Sequence, residues 1–319
     1  MKDLFSKGTN GKAAGHRPGF WLIGLGGAGK ATVASAVKQH RAEGCPFTLY
    51  SHAIDTEQTG LDGFDSCINI APTREAVQAM AVNPRRYGPA CTAIVTRHPH
   101  LLEGETLGMG ARTSRIITHA AFELYDQAIT KSLQSALHAL LRQGQFDRVQ
   151  PVIATSTGGG TGSAAMLFVT DYFGPTKKNK RMLLGLPPNL VAKPVCFAID
   201  PFSHALQQQN DISPDWILSN CYASRVELAE YEKRGDGYQY FFHLGLGNPS
   251  GSVFATIEEA CEINGVLAWE WMSNYVHFKS RAVDQLDFYV QSCRYQGDDV
   301  AEHFFPRQEW PPYAQTQKD

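Results

Sequence analysis

Three consecutive glycines, Gly158, Gly159 and Gly160, sit in the run Thr155-Ser156-Thr157-Gly158-Gly159-Gly160-Thr161-Gly162-Ser163. An apolar, β-branched stretch (149–154) leads in, and an apolar stretch that reads as a helix (164–173) leads out. That order is a strand, a turn and a helix start. A turn without Cβ atoms lets backbone N–H groups come close to an anion. The helix N-terminus adds unpaired N–H groups and the positive end of the helix dipole. Thr157, Thr161 and Ser163 add hydroxyls. Such a loop holds phosphates. The competing reading is a flexible connector, and a position squarely between a buried strand and a helix weighs against it.

The rest of the chain repeats the same grammar. Phe20 to Ile23 is a short buried-strand run that ends in Gly24-Leu25-Gly26-Gly27-Ala28-Gly29-Lys30, and a helix follows over 31–41. Residues 47–54 read as a second strand ending at Asp55-Thr56-Glu57, and 67–70 as a third. Residues 71–107 read as irregular. Gly108-Met109-Gly110-Ala111-Arg112 is another glycine turn, and Ser114 is placed to cap a long amphipathic helix over 115–142. A strand over 192–199 ends at Asp200-Pro201-Phe202, a helix spans 216–231, a strand over 238–246 ends at Gly247-Asn248-Pro249, and a helix spans 257–275. Strands alternating with helices predict an α/β fold, a mainly parallel sheet with helices on both faces. Ligands of such sheets bind outside the carboxyl ends of the strands. The glycine and polar turns fall at those ends, and their convergence says more than any one of them.

Composition excludes several classes. The 319 residues carry a formal net charge of −2, which argues against a nucleic-acid partner, since general phosphate-backbone binding needs a basic surface. The basic run Lys177-Lys178-Asn179-Lys180-Arg181 reads as a solvated connector rather than a phosphate patch. The seven cysteines are widely spaced with no Cys-x-x-Cys pair, so neither a zinc site nor a disulfide framework is indicated, and no metal ligand set is assigned. His98-Pro99-His100 near Cys91 reads as a loop histidine pair. No apolar stretch is long enough to span a bilayer, and the polar, glycine-rich start is no secretory signal. A cytoplasmic protein is expected. Three parts are read: a flexible tail over 1–19, a nucleotide-binding domain with a central helix over 20–275, and an acidic loop with a C-terminal arm over 276–319.

The first glycine loop alone leaves the ligand open. Gly24-x-Gly26-x-x-Gly29 fits the dinucleotide fingerprint, with Asp55 near the place of a ribose-binding acid. A P-loop fails, because Ala31 follows Lys30 where a serine or threonine is needed for magnesium. The triple-glycine loop decides. Gly158 to Ser163 resembles the signature loop of the tubulin and FtsZ superfamily, over about residues 20 to 290, and a dinucleotide oxidoreductase ranks last because it leaves this loop unexplained.

The resemblance implies a GTP- or GDP-binding domain, with Mg2+, and a set of site residues. Gly26, Gly27, Ala28 and Lys30 look like the first phosphate loop, and Asp55-Thr56 like the second. Gly108, Gly110 and Ala111 are similar to the third loop, over the terminal phosphate. Thr157 to Ser163 are the signature loop, and Asp200 lies near the ribose. Asn248 and Asn264 fall where the family meets the base, and a carboxamide suits a purine edge because it both donates and accepts. Ala31 and Ala260 depart from the family, which commonly has an asparagine and a stacking aromatic there. Family members hydrolyse the nucleotide across a head-to-tail subunit contact, using an acidic loop of the neighbour. Asp284 and Asp287 resemble that loop, where a carboxylate orients the attacking water. About thirty residues remain after Asp287, too few for an independent core, so no full second domain is expected. Two functions follow: a self-assembling GTPase, or a nucleotide-dependent switch for a protein partner with little or no hydrolysis.

Overall fold

A computed structural model describes residues 18–44, 47–102, 111, 114–144, 146, 148–173, 185, 190–199, 214–244 and 256–278. Six strands form one sheet: β1 (Pro18–Leu25), β2 (Thr48–Asp55), β3 (Ser66–Asn69), β4 (Arg148–Ser156), β5 (Val195–Ile199) and β6 (Tyr240–Leu244). Their order is β3-β2-β1-β4-β5-β6 and every pairing is parallel. The chain fills one half of the sheet from β1 outward to β3, then returns to the centre at β4 and fills the other half. The change of direction lies between β1 and β4, where Gly24 is in register with Ala154. Ligands of doubly wound sheets bind at such a switch.

The central strands β1, β4 and β5 are mostly apolar and buried because both faces are covered. Successive side chains of a strand point to opposite faces. Trp21, Ile23, Leu25, Ile153, Cys196 and Ala198 pack in one core, and Phe20, Leu22, Val152, Ala154, Phe197 and Ile199 in the other. The first core is closed by α5 (Asp126–Gln143), α6 (Gly160–Thr170) and α7 (Pro214–Lys233), through Ile129, Leu133, Leu137, Met166, Val169 and Leu228. The second is closed by α1 (Gly26–Glu43) and α8 (Ile257–Phe278), through Val33, Ala36, Leu267, Trp271 and Met272. Each large side chain so buried contributes about 1.5–3 kcal/mol. Gly265 of α8 sits against the Thr32 carbonyl of α1, and Ser35 Oγ donates to the Glu262 carbonyl at 2.8 Å, so these two helices pack at close range.

Two local expectations are corrected. The segment 71–107, expected to be irregular, is not so over its described part, 71–102; residues 103–107 lie outside the described residues. It holds α2 (Arg74–Val82), α3 (Pro89–Arg97) and two 3-10 turns, Pro84–Arg86 and Pro99–Leu102. Thr73 caps α2 by accepting from Ala76 N at 3.2 Å, and Glu123 caps α3 by accepting from the amides of Ala90 and Cys91 at 3.0 and 2.9 Å. Met80, Cys91, Ile94, Ile117 and Ala120 give this segment its own small core. The second correction is that the long helix over 115–142 is two helices, α4 (Arg115–Leu124) and α5, interrupted at Tyr125. The Tyr125 hydroxyl donates to the Ala71 carbonyl at 3.3 Å and accepts from Thr73 N at 3.0 Å, which ties the break to the start of α2. Ser114 stands at the N-cap of α4, but its side chain makes no capping bond. Elsewhere the elements lie where expected with shifted ends. β1 starts at Pro18 and the last helix runs to Phe278.

His52 of β2 is fully buried and pairs through Nδ1 with Ser66 Oγ at 2.7 Å, its register partner on β3. Burial pushes its pKa down from 6.5 to about 4. The unfolded chain therefore binds the extra proton first, and stability present above pH 6.5 is lost as pH falls towards 4. His119 is lowered to about 4 in the same way, burial again being the main cause. Urea denaturation across this window should show stability falling by up to about 1.4 kcal/mol per pH unit for each histidine. His52→Gln should flatten that slope, and an unchanged slope would remove His52 from the account.

Candidate functional site

The six parallel strands end along one edge, and the loops that leave β1 and β4 meet over the switch point. β1 passes directly into α1: Leu25 is the N-cap without a side-chain capping bond, and Gly26 takes φ +70 to turn the chain. β4 leaves through Thr157, Gly158 and Gly159 into α6, whose N-cap Gly159 is also without a side-chain capping bond. Neither helix has an acidic residue in its first turn. Two helix N-termini therefore bring uncapped amides and two positive dipole ends to one place.

The glycines of these loops fall into two groups. Gly26 and Gly162 are fixed by packing: a Cβ on Gly26 would lie 2.9 Å from Gly162 N, and one on Gly162 would lie 2.6 Å from Thr155 Oγ1. Gly27 and Gly159 are not. A Cβ on either would meet no atom within 4 Å. No packing among the described residues requires glycine at those two positions, and a side chain there would enter open space.

The hydroxyls fasten the loops to one another. Thr56 Oγ1 and Thr161 Oγ1 share a hydrogen bond of 2.7 Å, and Ala111 N donates to Thr56 Oγ1 at 2.8 Å. The end of β2, the start of α6 and Ala111 thus converge on one buried hydroxyl. Thr157 Oγ1 donates to the Ile199 carbonyl at 3.3 Å, and Ser163 Oγ donates to the Gly159 carbonyl. Expected as free donors, these two hydroxyls instead hold the loop's shape.

Lys30 and Asp55 form a buried ion pair, Nζ to Oδ2 2.7 Å, with both side chains under 10 % exposed. Lys30 Nζ also donates to the Thr59 carbonyl, and Asp55 Oδ1 accepts from Thr56 N at 2.7 Å. Burial pushes the Asp55 carboxyl above its ordinary range, and the Lys30 ammonium pulls it back. Both oxygens of Asp55 are thereby engaged inside the protein.

Further residues, which local motifs did not mark, hold the triple-glycine loop from outside. Arg115, the first residue of α4, donates through Nη1 to the Ser163 carbonyl at 2.6 Å and through Nη2 to Glu227 of α7. Burial pulls the guanidinium below its ordinary pKa, while Glu227 acts in the opposite direction. Thr118 Oγ1 donates to the Gly160 carbonyl at 3.3 Å, and Asn220 Nδ2 of α7 donates to the Gly158 carbonyl at 3.1 Å. Arg115 carries a sequence signal, since it opens the helix that follows a glycine turn. Glu227 and Asn220 lie on a distant helix and carry none.

The base-side candidate Asn264 is 1 % exposed on α8, with Nδ2 donating to the Phe197 carbonyl of β5 at 3.4 Å. Ala260, one turn earlier, is part of the core. Ala28 flanks Gly27 at the rim, partly buried. Gly108, Gly110, Asp200, Asn248, Asp284 and Asp287 lie outside the described residues. His98 and His100 face each other edge-on with ring centres 6.0 Å apart, and Cys91 Sγ is turned to the Ala120 carbonyl. Among the described residues no cluster of three His, Cys, Asp or Glu side chains suits a metal ion. None of the described helices is long and apolar enough to cross a membrane.

No family model matches the sequence, and no curated protein matches it. Among solved structures the chain is similar to members of the tubulin/FtsZ superfamily. One is CetZ2 from Haloferax volcanii, a GTPγS-bound protofilament: 12 % identity over 81 % of this chain and 59 % of that one, TM-score 0.49. Another is CetZ from Methanosaeta thermophila, with 15 % identity over 85 % and 57 %, TM-score 0.47. A third is TubZ of Clostridium botulinum phage c-st, with 13 % identity over 85 % and 64 %, TM-score 0.44. The chain thus spans about three fifths of the length of the solved proteins it matches.

The ion pair gives a direct test. Removing one partner of a buried pair leaves an uncompensated charge and costs about 3–5 kcal/mol. Lys30→Met should lower the urea midpoint accordingly, and Lys30→Met with Asp55→Asn should recover most of the loss. A single-variant cost below about 1 kcal/mol would mean that the pair is solvated rather than buried.

Proposed function

We propose that this chain is a nucleotide-binding protein of the tubulin/FtsZ type, which holds GTP or GDP at the sheet's switch point and hydrolyses GTP at a head-to-tail contact between copies of itself. One observation carries the reading: two helix N-termini without side-chain caps meet there, and the Cβ positions of Gly27 and Gly159 open onto free space. A single phosphate needs one such cradle, whereas a polyphosphate can span two.

The chain's own residues would divide the work as follows. The amides of Gly26, Gly27 and Ala28 and those of Gly159 to Gly162 take the phosphate oxygens. Magnesium, which the resemblance implies, would come bound with the nucleotide and neutralise charge on its phosphates; the Thr56 and Thr161 hydroxyls are bonded to each other and are not assigned to it. Asn264 and Asn248 serve the base, Asp200 the ribose, and Gly108 and Gly110 the terminal phosphate, as the resemblance implies. Hydrolysis breaks the bond between the terminal phosphorus and the bridging oxygen. A water held by Asp284 and Asp287 of a second copy attacks in line, and the products are GDP and inorganic phosphate. The dinucleotide reading loses its ribose-binding acid, because Asp55 is spent on Lys30 and the Thr56 amide.

The second reading, a nucleotide-dependent switch for a protein partner, draws on a different observation. Helix α7 is fastened to the triple-glycine loop by Asn220 and, through Arg115, by Glu227, while its Trp216 is 61 % exposed. A shift of the loop on nucleotide binding would move a helix that presents an aromatic anchor of the type enriched at interfaces.

Calorimetric titration with GTP and Mg2+ tests the site. Gly27→Val and Gly159→Val should keep the urea midpoint of the parent chain and lose at least tenfold in affinity, because the new side chains enter only the space assigned to phosphate. Full affinity in both variants would sink the proposal. For hydrolysis, the rate per molecule should climb with protein concentration and collapse in Asp287→Ala. A flat or absent rate with GTP still bound would select the switch.

A further inference from the structure

The peptide that joins Gly158 to Gly159 is the last before α6, whose N-cap is Gly159. Its neighbours are fixed in other ways. Thr157 N donates to the Ile199 carbonyl at 3.1 Å, and Gly158 N donates to Ser156 Oγ at 3.2 Å. The Gly159 carbonyl accepts from Ser163 Oγ, and beyond it the helix orients the chain. The Gly158–Gly159 peptide is held by α7: Asn220 Nδ2 donates to the Gly158 carbonyl at 3.1 Å, and Asn220 is 7 % exposed. Further along the same helix Glu227 takes Arg115, which holds the Ser163 carbonyl. Helix α7 thus grips the loop at both ends, and the grip of Asn220 is direct. Among the described residues nothing accepts from Gly159 N.

A trans peptide is planar, with its C=O and N–H pointing in opposite directions. A donor that holds the Gly158 carbonyl therefore also aims the Gly159 N–H. Glycine stands on both sides of this peptide, and the rotation that turns it over runs through ψ of Gly158 and φ of Gly159, where glycine offers little resistance. Turned over, the peptide would present a carbonyl oxygen where it now presents an N–H, and a phosphate would be repelled. We propose that Asn220 is the positioning residue of the triple-glycine loop: its carboxamide keeps this peptide from turning over and so keeps the Gly159 N–H directed at the phosphates. The inference rests on the nucleotide reading above and adds a residue that touches no phosphate itself. Gly159 supplies the cross-check. It takes φ −75 and ψ 160, which any residue adopts, whereas the turned-over peptide needs a positive φ there, which favours glycine. A Cβ at Gly159 meets no atom within 4 Å. Gly159→Ala thus fits the observed loop and resists the other one, doing by conformation what Asn220 does by hydrogen bond.

The test is a double-mutant cycle read in the dissociation constant for GTP with Mg2+, on the full chain, with urea denaturation of the ligand-free variants alongside. Asn220→Leu removes the donor without adding charge and should weaken binding about tenfold or more, since binding energy is then spent on ordering the peptide. In a Gly159→Ala background, whatever that substitution costs by itself, Asn220→Leu should cost less than about threefold, because the alanine already holds the peptide. A merely structural role would lower the urea midpoint and cost the same affinity in both backgrounds. Parent-like affinity in Asn220→Leu, or an equal loss in the two backgrounds, would overturn the inference while leaving the nucleotide site standing. Should Gly159→Ala alone bind too weakly to be read, a crystal structure of ligand-free Asn220→Leu decides: a turned-over Gly158–Gly159 peptide is expected, and an unmoved one would overturn the inference. A parent chain that binds no GTP would overturn both, and only that result touches the functional reading.

Discussion

The site depends on how closely two loops can approach across the centre of a parallel sheet. β1 and β4 are adjacent, and each turns into a helix at the same edge. Both helices must therefore start within a few ångströms of one another. With side chains at the contact they would be forced apart, since a Cβ at Gly26 would lie 2.9 Å from the Gly162 nitrogen and one at Gly29 would run into the Ala154 carbonyl. Glycine at the contact removes that limit, and the two N-termini come together. The approach has an electrostatic cost, because two like dipole ends face each other. An anion between them would offset the repulsion, so the fold and the proposed ligand have the same requirement.

Much of this was legible in the sequence because parallel sheets write plainly. Strands buried on both faces read as unbroken apolar runs, and Phe20 to Ile23 and 149–154 have no other ready interpretation. The glycine turns were legible because they stood at strand ends. Which glycines serve packing and which serve a ligand was not legible, since Gly26 and Gly27 are neighbours of identical chemistry. Their difference appears only when the opposite loop is in place. Asn264 shows the same limit from the other side. A carboxamide on a helix suits a purine edge, and it also suits the carbonyl of Phe197, which is where its amide is directed.

The segment between β3 and α4 escaped the sequence reading for a different reason. Its prolines at 84, 89 and 99 look like breakers, yet each stands in or at the start of a first helical turn, where its missing N–H costs nothing. The donors that would cap α3 locally are absent. Glu123, more than thirty residues later, supplies the acceptors, and Gly88 is small enough to let that carboxylate in. A helix whose cap comes from another helix has no local signature. The break at Tyr125 is of the same kind: its partners Ala71 and Thr73 are remote in sequence, so amphipathic periodicity ran through the break without registering it.

The Lys30–Asp55 pair decides what sort of anion site the proposed function calls for. A lysine five residues beyond a strand end, inside a glycine loop, invites comparison with loops that use an ammonium to meet phosphate. Here the ammonium is turned to Asp55 at 2.7 Å and to the Thr59 carbonyl, and its charge is matched within the protein. The described cradle is then left with backbone amides and helix dipoles. These are fixed by the fold, do not titrate, and are aimed rather than merely positive. A point charge rewards any anion that comes near, and its reward fades with salt. Amides on two converging helices reward an anion whose oxygens match their spacing, so under the proposed reading this arrangement would select the geometry of a polyphosphate more than its net charge. Moving the lysine's charge back into the cradle would add attraction and give up part of that selectivity, which is a physical reason for the pair to be buried beside the site.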